Sequence, residues 1–314
     1  MTKPANTLTA SAAASFHSWA GQPARNIAVA PGRVNLMGDH TDYAGGLTMP
    51  MAVELHTVIC AAAKPKADDV LTVTSSMGEA TSITLGDTQP RGDWADYLRG
   101  VVDGYQRRGV EVPAMQLQVS GDLPLGSGLS SSASLELAMA MLLEQVSGVT
   151  LDPYERVLLC QSAAQTHAGV PCGILDQHAV SFGLAGQALI LDCTTERSTP
   201  IALPDDISVA VIDSGVRHSH SEGGYGERRE QVEAATRILG RTLAESEMAD
   251  LVQIEDPLIR RRAGHVISES ARVTELAEAF ARADRGAIGS IMAASHHSLA
   301  HDFEISVKEI DRLV

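Results

Sequence analysis

Residues 32–46, GRVNLMGDHTDYAGG, place an arginine, a histidine and two aspartates within ten positions, between apolar runs. Charge at that density beside apolar sequence calls for partners, and two further stretches could supply them. The first is residues 121–136, GDLPLGSGLSSSASLE, which follow a strand-like run and precede a helix-like one. Gly126 and Gly128 let the backbone turn tightly and present bare amides. The helix that follows adds unpaired N–H groups and the positive end of its macrodipole, so an anion, a phosphate above all, is stabilised there. Ser130, Ser131 and Ser132 bring hydroxyls able to meet phosphate oxygens or Mg²⁺. No Gly-Lys-Ser/Thr makes this a Walker A loop, and it is not a G-x-G-x-x-G dinucleotide fingerprint. A serine-capped helix after a glycine turn is the ordinary alternative.

The second stretch, PCGILDQHAVSFG, carries Asp176 directly after Ile174 and Leu175. A carboxylate in apolar surroundings needs a partner or a raised pKa, and general-base work is one use for it. Its competing role is to N-cap a short helix from Gln177. His218, Ser219 and His220 lack a third ligand nearby and read as a solvated loop, not a metal site. Arg228 and Arg229 read as partners for glutamates on a helix face.

The elements that must position these residues follow from periodicity. NIAVAPGR reads as strand then turn and MAVELHTVICAAA as a strand, which makes residues 32–46 a loop between strands. Trp94, Tyr97, Leu98, Val101, Val102 and Tyr105 recur at helical spacing up to Gly109, and SASLELAMAMLLEQVSG is apolar nearly all round, as a helix buried on every side is. Asp152 and Pro153 open another helix. QALILDC and ISVAVIDS read as strands. After Tyr225 three helical stretches follow, ERREQVEAATRILG, ESARVTELAEAFARA and GAIGSIMAASHHSLA. The fold class is mixed α and β (α+β), with a boundary at residues 200–206.

The chain has 314 residues, enough for one large domain or two smaller ones, and a formal net charge of −15. That acidity argues against nucleic acid or an anionic membrane as partner. Four widely spaced cysteines form no C-x-x-C pair and fit a reducing cytosol. The N-terminus has no continuous apolar h-region, and no run of about 18 apolar residues occurs.

Three stretches together, PGRVNLMGDHTDYAGGLTMPMA, LPLGSGLSSSASLE and CGILDQ, resemble the first two motifs and the catalytic segment of galactokinases, members of the GHMP kinases. SEGGYGERREQVEAA, RRAGHVISESARV and SHHSLAHDFEIS match in the same order, so the resemblance covers the chain from about Ala30. It implies a ribosomal-protein-S5-like N-terminal domain, residues 1–205, and an incomplete ferredoxin-like C-terminal domain, residues 206–314. It also implies an enzyme that transfers the γ-phosphoryl group of MgATP to the anomeric hydroxyl of galactose; a cytoplasmic location and a monomer are expected beside it. Carried over residue by residue, Asp176 would be the base and Arg33 would stabilise its ionised form and the migrating charge. Asp39, His40, Thr41, Asp42, Gly173 and Tyr225 would contact the sugar. Gly126, Ser127, Gly128, Leu129, Ser130, Ser131 and Ser132 would cradle the triphosphate, with Ser132 on Mg²⁺.

The chain departs from the galactokinase pattern in three places. Asp39 stands where galactokinases usually have Glu, one methylene shorter toward the expected C6 hydroxyl. A uronic acid, a pentose or a looser galactose site would each fit that change. Ala164 stands at the position of the family's Mg²⁺-binding Glu, where a water could serve, with weaker binding. No Gly follows Gly289, so the third, glycine-rich motif is absent and the chain reads as truncated at VKEIDRLV, with Ala300 and His301 where the family usually has Arg and Asp. Strand edges and apolar surface are then expected to be left uncovered. A non-catalytic galactose and ATP sensor is the alternative function.

Overall fold

The computed structural model describes residues 5–64, 68–76, 78–124, 126–216 and 224–314. His218, Ser219 and His220 lie outside the described residues. In chain order these residues form α1 (Ala5–Ala20), β1 (Asn26–Asn35), β2 (Leu47–Thr48), β3 (Pro50–Ala63), β4 (Val70–Ser75), β5 (Thr81–Thr84), α2 (Asp96–Arg107) and β6 (Met115–Gly121). Then come α3 (Ser131–Ser147), α4 (Pro153–Thr166), α5 (Leu175–Phe182), β7 (Gln187–Asp192), β8 (Arg197–Ala202), α6 (Gly224–Leu239), α7 (Pro257–Ala281) and α8 (Arg285–His301). The class is mixed α and β, as the periodicities require.

By internal packing the chain forms two compact units. One gathers Met1–Val34, Ala52–Cys172 and Asp176–Phe182; the other gathers Asn35–Met51, Gly173–Leu175 and Gly183–Val314. The units interleave, whereas the boundary inferred from motifs is a single cut.

In the first unit β3 pairs with β1 and, antiparallel, with β6; β6 pairs parallel with β4, and β4 antiparallel with β5. Successive side chains of a strand point to opposite faces, and β3 is apolar on both. Ile59 and Ala61 join the cluster built with Leu117, Leu137 and Val101, while Val58, Cys60 and Ala62 join Leu8, Ala12 and Phe16 of α1. A sheet covered on both faces reads in sequence as the continuous run VICAAA, not as alternation. Helices α2, α3 and α4 pack on one another, and Asp152 caps α4 by accepting from the Tyr154 amide at 2.9 Å, as its place before Pro153 predicts.

In the second unit β7 pairs antiparallel with β2 and β8, and the start of β3 joins through Met51 and Ala188. Helix α7 is its spine. Val273, Leu276, Ala277 and Phe280 pack with Met37, Met49 and Ala188, and Ala263 and Val266 pack with Val232, Leu243, Ile254 and Phe303.

Two expectations need correction. Strand β1 does not turn at Pro31 but continues to Asn35, so Arg33 sits on a strand and only the following residues form the loop. The continuation is possible because residue 32 is glycine: a Cβ there would come within 2.7 Å of the Leu129 carbonyl oxygen and overlap the Leu123 side chain. The segment ISVAVIDS forms no strand. Its β-branched alternation supplies propensity but no described strand pairs with it, and Val209, Val211 and Ile212 are exposed. Sequence reading did not anticipate α1, β4, β5 and β8; β8 contains Pro200 and is half-exposed, as suits an edge.

If α1 is part of the first unit's core, Phe16→Ala should lower unfolding free energy by about 3–5 kcal/mol in urea titrations. Phe16 is fully buried. A loss under about 1 kcal/mol would mean that α1 is dispensable.

Candidate active site

Asp176 lies in the first turn of α5. Its Oδ1 accepts from Nε of Arg33 at 2.8 Å and from Nη2 of the same guanidinium, and its Oδ2 accepts from the Ser130 hydroxyl at 2.5 Å. Both oxygens are thus held by side chains from elsewhere in the sequence, and the reading of Asp176 as a mere helix cap is set aside. Arg33 is held in turn by the glycine–serine loop: its Nη1 donates to the Gly128 carbonyl at 2.5 Å, and its backbone N–H to the Leu129 carbonyl at 3.1 Å.

The loop reaches this geometry through left-handed backbone at alternate positions, Gly126 at φ 68°, Gly128 at φ 76° and Ser130 at φ 54°. Glycine takes that conformation freely, whereas Ser130 carries strain. Ser130 is the N-cap residue of α3, yet its hydroxyl makes no cap bond, because it is turned to Asp176. The serine-capped-helix alternative therefore fails at this residue, and the first amides of α3 are left without that cap. Ser127 donates back to the Pro124 carbonyl, Leu129 is buried, and Ser131 is the first residue of α3. Ser132 hydrogen-bonds Tyr97, whose phenol burial, then the nearby Glu136, push up to about 12. Ala164 is buried in α4 and its side chain offers no polar atom.

The remaining expected residues belong to the second unit, where α7 braces the loop after Asn35 at three backbone points. Glu269 accepts from the Gly38 N–H at 3.0 Å, His265 Nε2 contacts the Asp39 carbonyl at 3.1 Å, and Ser270 accepts from the Leu47 N–H at 2.9 Å. Within the loop the buried Thr41 hydroxyl reaches the carbonyls of Gly38 and Leu47 at 2.8 and 2.7 Å, so Thr41 closes the loop on itself. The Asp39 carboxylate accepts from Asn35 Nδ2 at 2.7 Å.

His40, at φ 64°, packs its ring against Tyr43, Tyr225 and Phe303, with Nδ1 2.9 Å from the Tyr43 hydroxyl. Burial, then the charges of His265 and Arg228, lower its pKa to about 3, so the ring is neutral. Asp42 lies against Gly173 so closely that a Cβ at residue 173 would overlap its carboxylate. The structure therefore groups Arg33, Gly128, Ser130 and Asp176 in one place, and Asp42 with Gly173 and His40 with Tyr225 in another. Sequence reading missed His265, Glu269 and Ser270. Within GHVISES only His265 and Glu269, at i and i+4, share a helical face, and that spacing is too common in helices to single them out.

Two family signatures match the chain: the galactokinase galactose-binding signature over residues 14–63 and the GHMP kinases N terminal domain over residues 96–184. The galactokinase of Pyrococcus furiosus is 38% identical over 285 residues, 90% of this chain and 80% of that protein. The galactokinase of Chloroflexus aurantiacus is 38% identical over 313 residues, 96% of this chain and 80% of that protein. The chain belongs to the galactokinase family. The crystal structure of Lactococcus lactis galactokinase complexed with galactose superposes with a TM-score of 0.87 at 27% identity, covering 97% of this chain and 82% of that one. The first galactokinase signature contains Arg33 and the braced loop, and the second contains the glycine–serine loop, Gly173 and Asp176; Tyr225 lies outside both. Among the described residues no helix is long and apolar enough to cross a membrane.

His40 makes stability pH-dependent. Its folded pKa lies near 3, below the ordinary 6.5, so only the unfolded chain takes a proton as pH falls through 6.5. Stability should be full above that pH and fall below it by up to about 1.4 kcal/mol per unit. Urea unfolding at pH 7, 6 and 5 should show this slope, made shallower by His40→Asn; an unaltered slope would mean that folded His40 takes up the proton.

Proposed function

We propose that this galactokinase-family chain transfers the γ-phosphoryl group of ATP to the anomeric hydroxyl of galactose, giving galactose 1-phosphate and ADP. The observation that carries the reading is the Asp176 carboxylate, ion-paired to Arg33 and bonded to Ser130, the N-cap residue of α3. Phosphoryl transfer asks a protein mainly for positioning and for charge aimed at the moving group. In this reading Asp176 takes the proton of the sugar hydroxyl as that oxygen attacks phosphorus. Arg33 holds the carboxylate in place and offsets negative charge on the phosphoryl oxygens. The left-handed turns at residues 126–130 and the α3 N-terminus supply backbone N–H donors to the phosphates.

Sugar recognition is assigned to Asp39, His40, Asp42, Tyr225 and the bare backbone at Gly173, with Thr41 acting through the loop it closes. A neutral His40 offers a hydrogen bond without charge, which suits a hydroxyl. Among the described residues no group of three His, Cys, Asp or Glu could hold a resident metal, and the Ala164 side chain brings no oxygen. Magnesium enters with the substrate as MgATP, and Ser132 is its proposed protein contact.

A coupled assay of ADP release over galactose, a pentose and a uronic acid tests the assignment. Galactose should give the fastest turnover, and Asp176→Ala should lower kcat by roughly 10²- to 10⁴-fold. A pentose or uronic acid that outruns galactose overturns the substrate, and galactose that raises Tm without ADP release identifies a sensor. Gly173→Ala, whose methyl would displace Asp42, should raise KM for galactose roughly tenfold or more while KM for ATP stays within a small factor. Equal changes in both would place Gly173 outside sugar recognition.

A further inference from the structure

Behind Asp176 lies a buried acid that the proposed reaction does not use. Glu136, on α3, is fully buried, and Gln177, the residue after Asp176, is 2% exposed. Gln177 Nε2 donates to Glu136 Oε2 at 2.9 Å. The second carboxyl oxygen of Glu136, Oε1, and the amide oxygen of Gln177, Oε1, are both buried with no hydrogen-bond partner. Two orphaned acceptors on one bonded pair are costly, and a carboxylate has no proton to give either. A carboxylic acid has one: an O–H on Glu136 turned to the Gln177 carbonyl satisfies both atoms at once.

We infer that Glu136 is a neutral carboxylic acid forming a two-point pair with Gln177, and that this pair is a positioning device for Asp176. The inference rests on Asp176 being the base. Helix α3 then grips the first turn of α5 twice, through Ser130 on Asp176 and through Glu136 on Gln177. Charge considerations agree. Burial, then the negative charge of Asp176, push the Glu136 carboxyl well above the usual range, against the hydrogen bond from Gln177. Tyr97 and Cys160 also feel the charge of Glu136, and neither is a cation. An ionised Glu136 would add a second anion beside Asp176, whose charge is the one Arg33 is paired with.

The test compares Glu136→Gln, Glu136→Ala and Gln177→Ala with the parent chain. Glutamine at 136 keeps the pair as an amide–amide contact, so kcat should stay within about threefold and the acid limb of the pH–rate profile should not move. The two alanine variants free the α5 turn, so kcat should fall roughly 10- to 100-fold with KM for both substrates little altered. The inference is overturned if Glu136→Gln is as impaired as Glu136→Ala, or if its acid limb moves to lower pH, which would reveal a lost negative charge. Infrared spectra give an arm independent of turnover and of the alanine variants' folding. A protonated-carboxyl band should persist at pH 8 in the parent and vanish in Glu136→Gln, and its absence from the parent sinks the inference. Asp176→Ala, if fully active, removes the base assignment while leaving the infrared result to stand on its own.

Discussion

The pairing of Arg33 with Asp176 joins residues 143 positions apart, and much of the local architecture follows from bringing those two charges together away from bulk water. A half-buried guanidinium has several donors to place, and here they go to Asp176 and to the carbonyl of Gly128. Strand β1, the glycine–serine loop and α5 are thereby fixed to one planar group. The glycines at 126 and 128 and the strained Ser130 follow from that requirement, since the loop must turn its carbonyls toward Arg33 and its serine toward the carboxylate. Removing either charge would leave its partner buried and unmatched, the costly half of a broken ion pair.

The second unit solves a different problem by different means. Its loop carries Asp39, His40 and Asp42, yet it is fixed chiefly through backbone atoms. Glu269, His265 and Ser270 contact the Gly38, Asp39 and Leu47 main chain, and Thr41 ties the loop's own carbonyls. Main-chain anchoring fixes the backbone path of the loop, and the Asp39 carboxylate is held in addition by Asn35. It also explains how a histidine held neutral by burial can be part of a polar site.

What could be read from the sequence divides along physical lines. The helices with strong periodicity or a clear cap, α2, α3 and α4, were legible because local residues determine them. The site motifs were legible through their joint resemblance to galactokinases; taken singly, residues 121–136 read equally as an anion site or a capped helix, and Asp176 as a helix cap or a base. Strand β1 was cut short in the reading because Pro31 and Gly32 look like a turn, whereas the strand continues over the residues against which Gly32 packs. ISVAVIDS was overread because alternation measures propensity, and a strand also needs a neighbour. The braces on α7 and the Glu136–Gln177 pair were hidden because each looks like ordinary helix sequence until a distant segment arrives beside it.

The interleaving of the two units bears on how the protein is made. The chain passes from one unit to the other after Val34, Met51, Cys172, Leu175 and Phe182, so no single cut releases either one. The loop after Asn35 is synthesised early, but Glu269, which holds Gly38, comes 231 residues later. At ordinary ribosomal speeds that interval is on the order of tens of seconds. Through it the nascent loop has no brace from α7, and its fixed backbone path is reached only once α7 has left the ribosome.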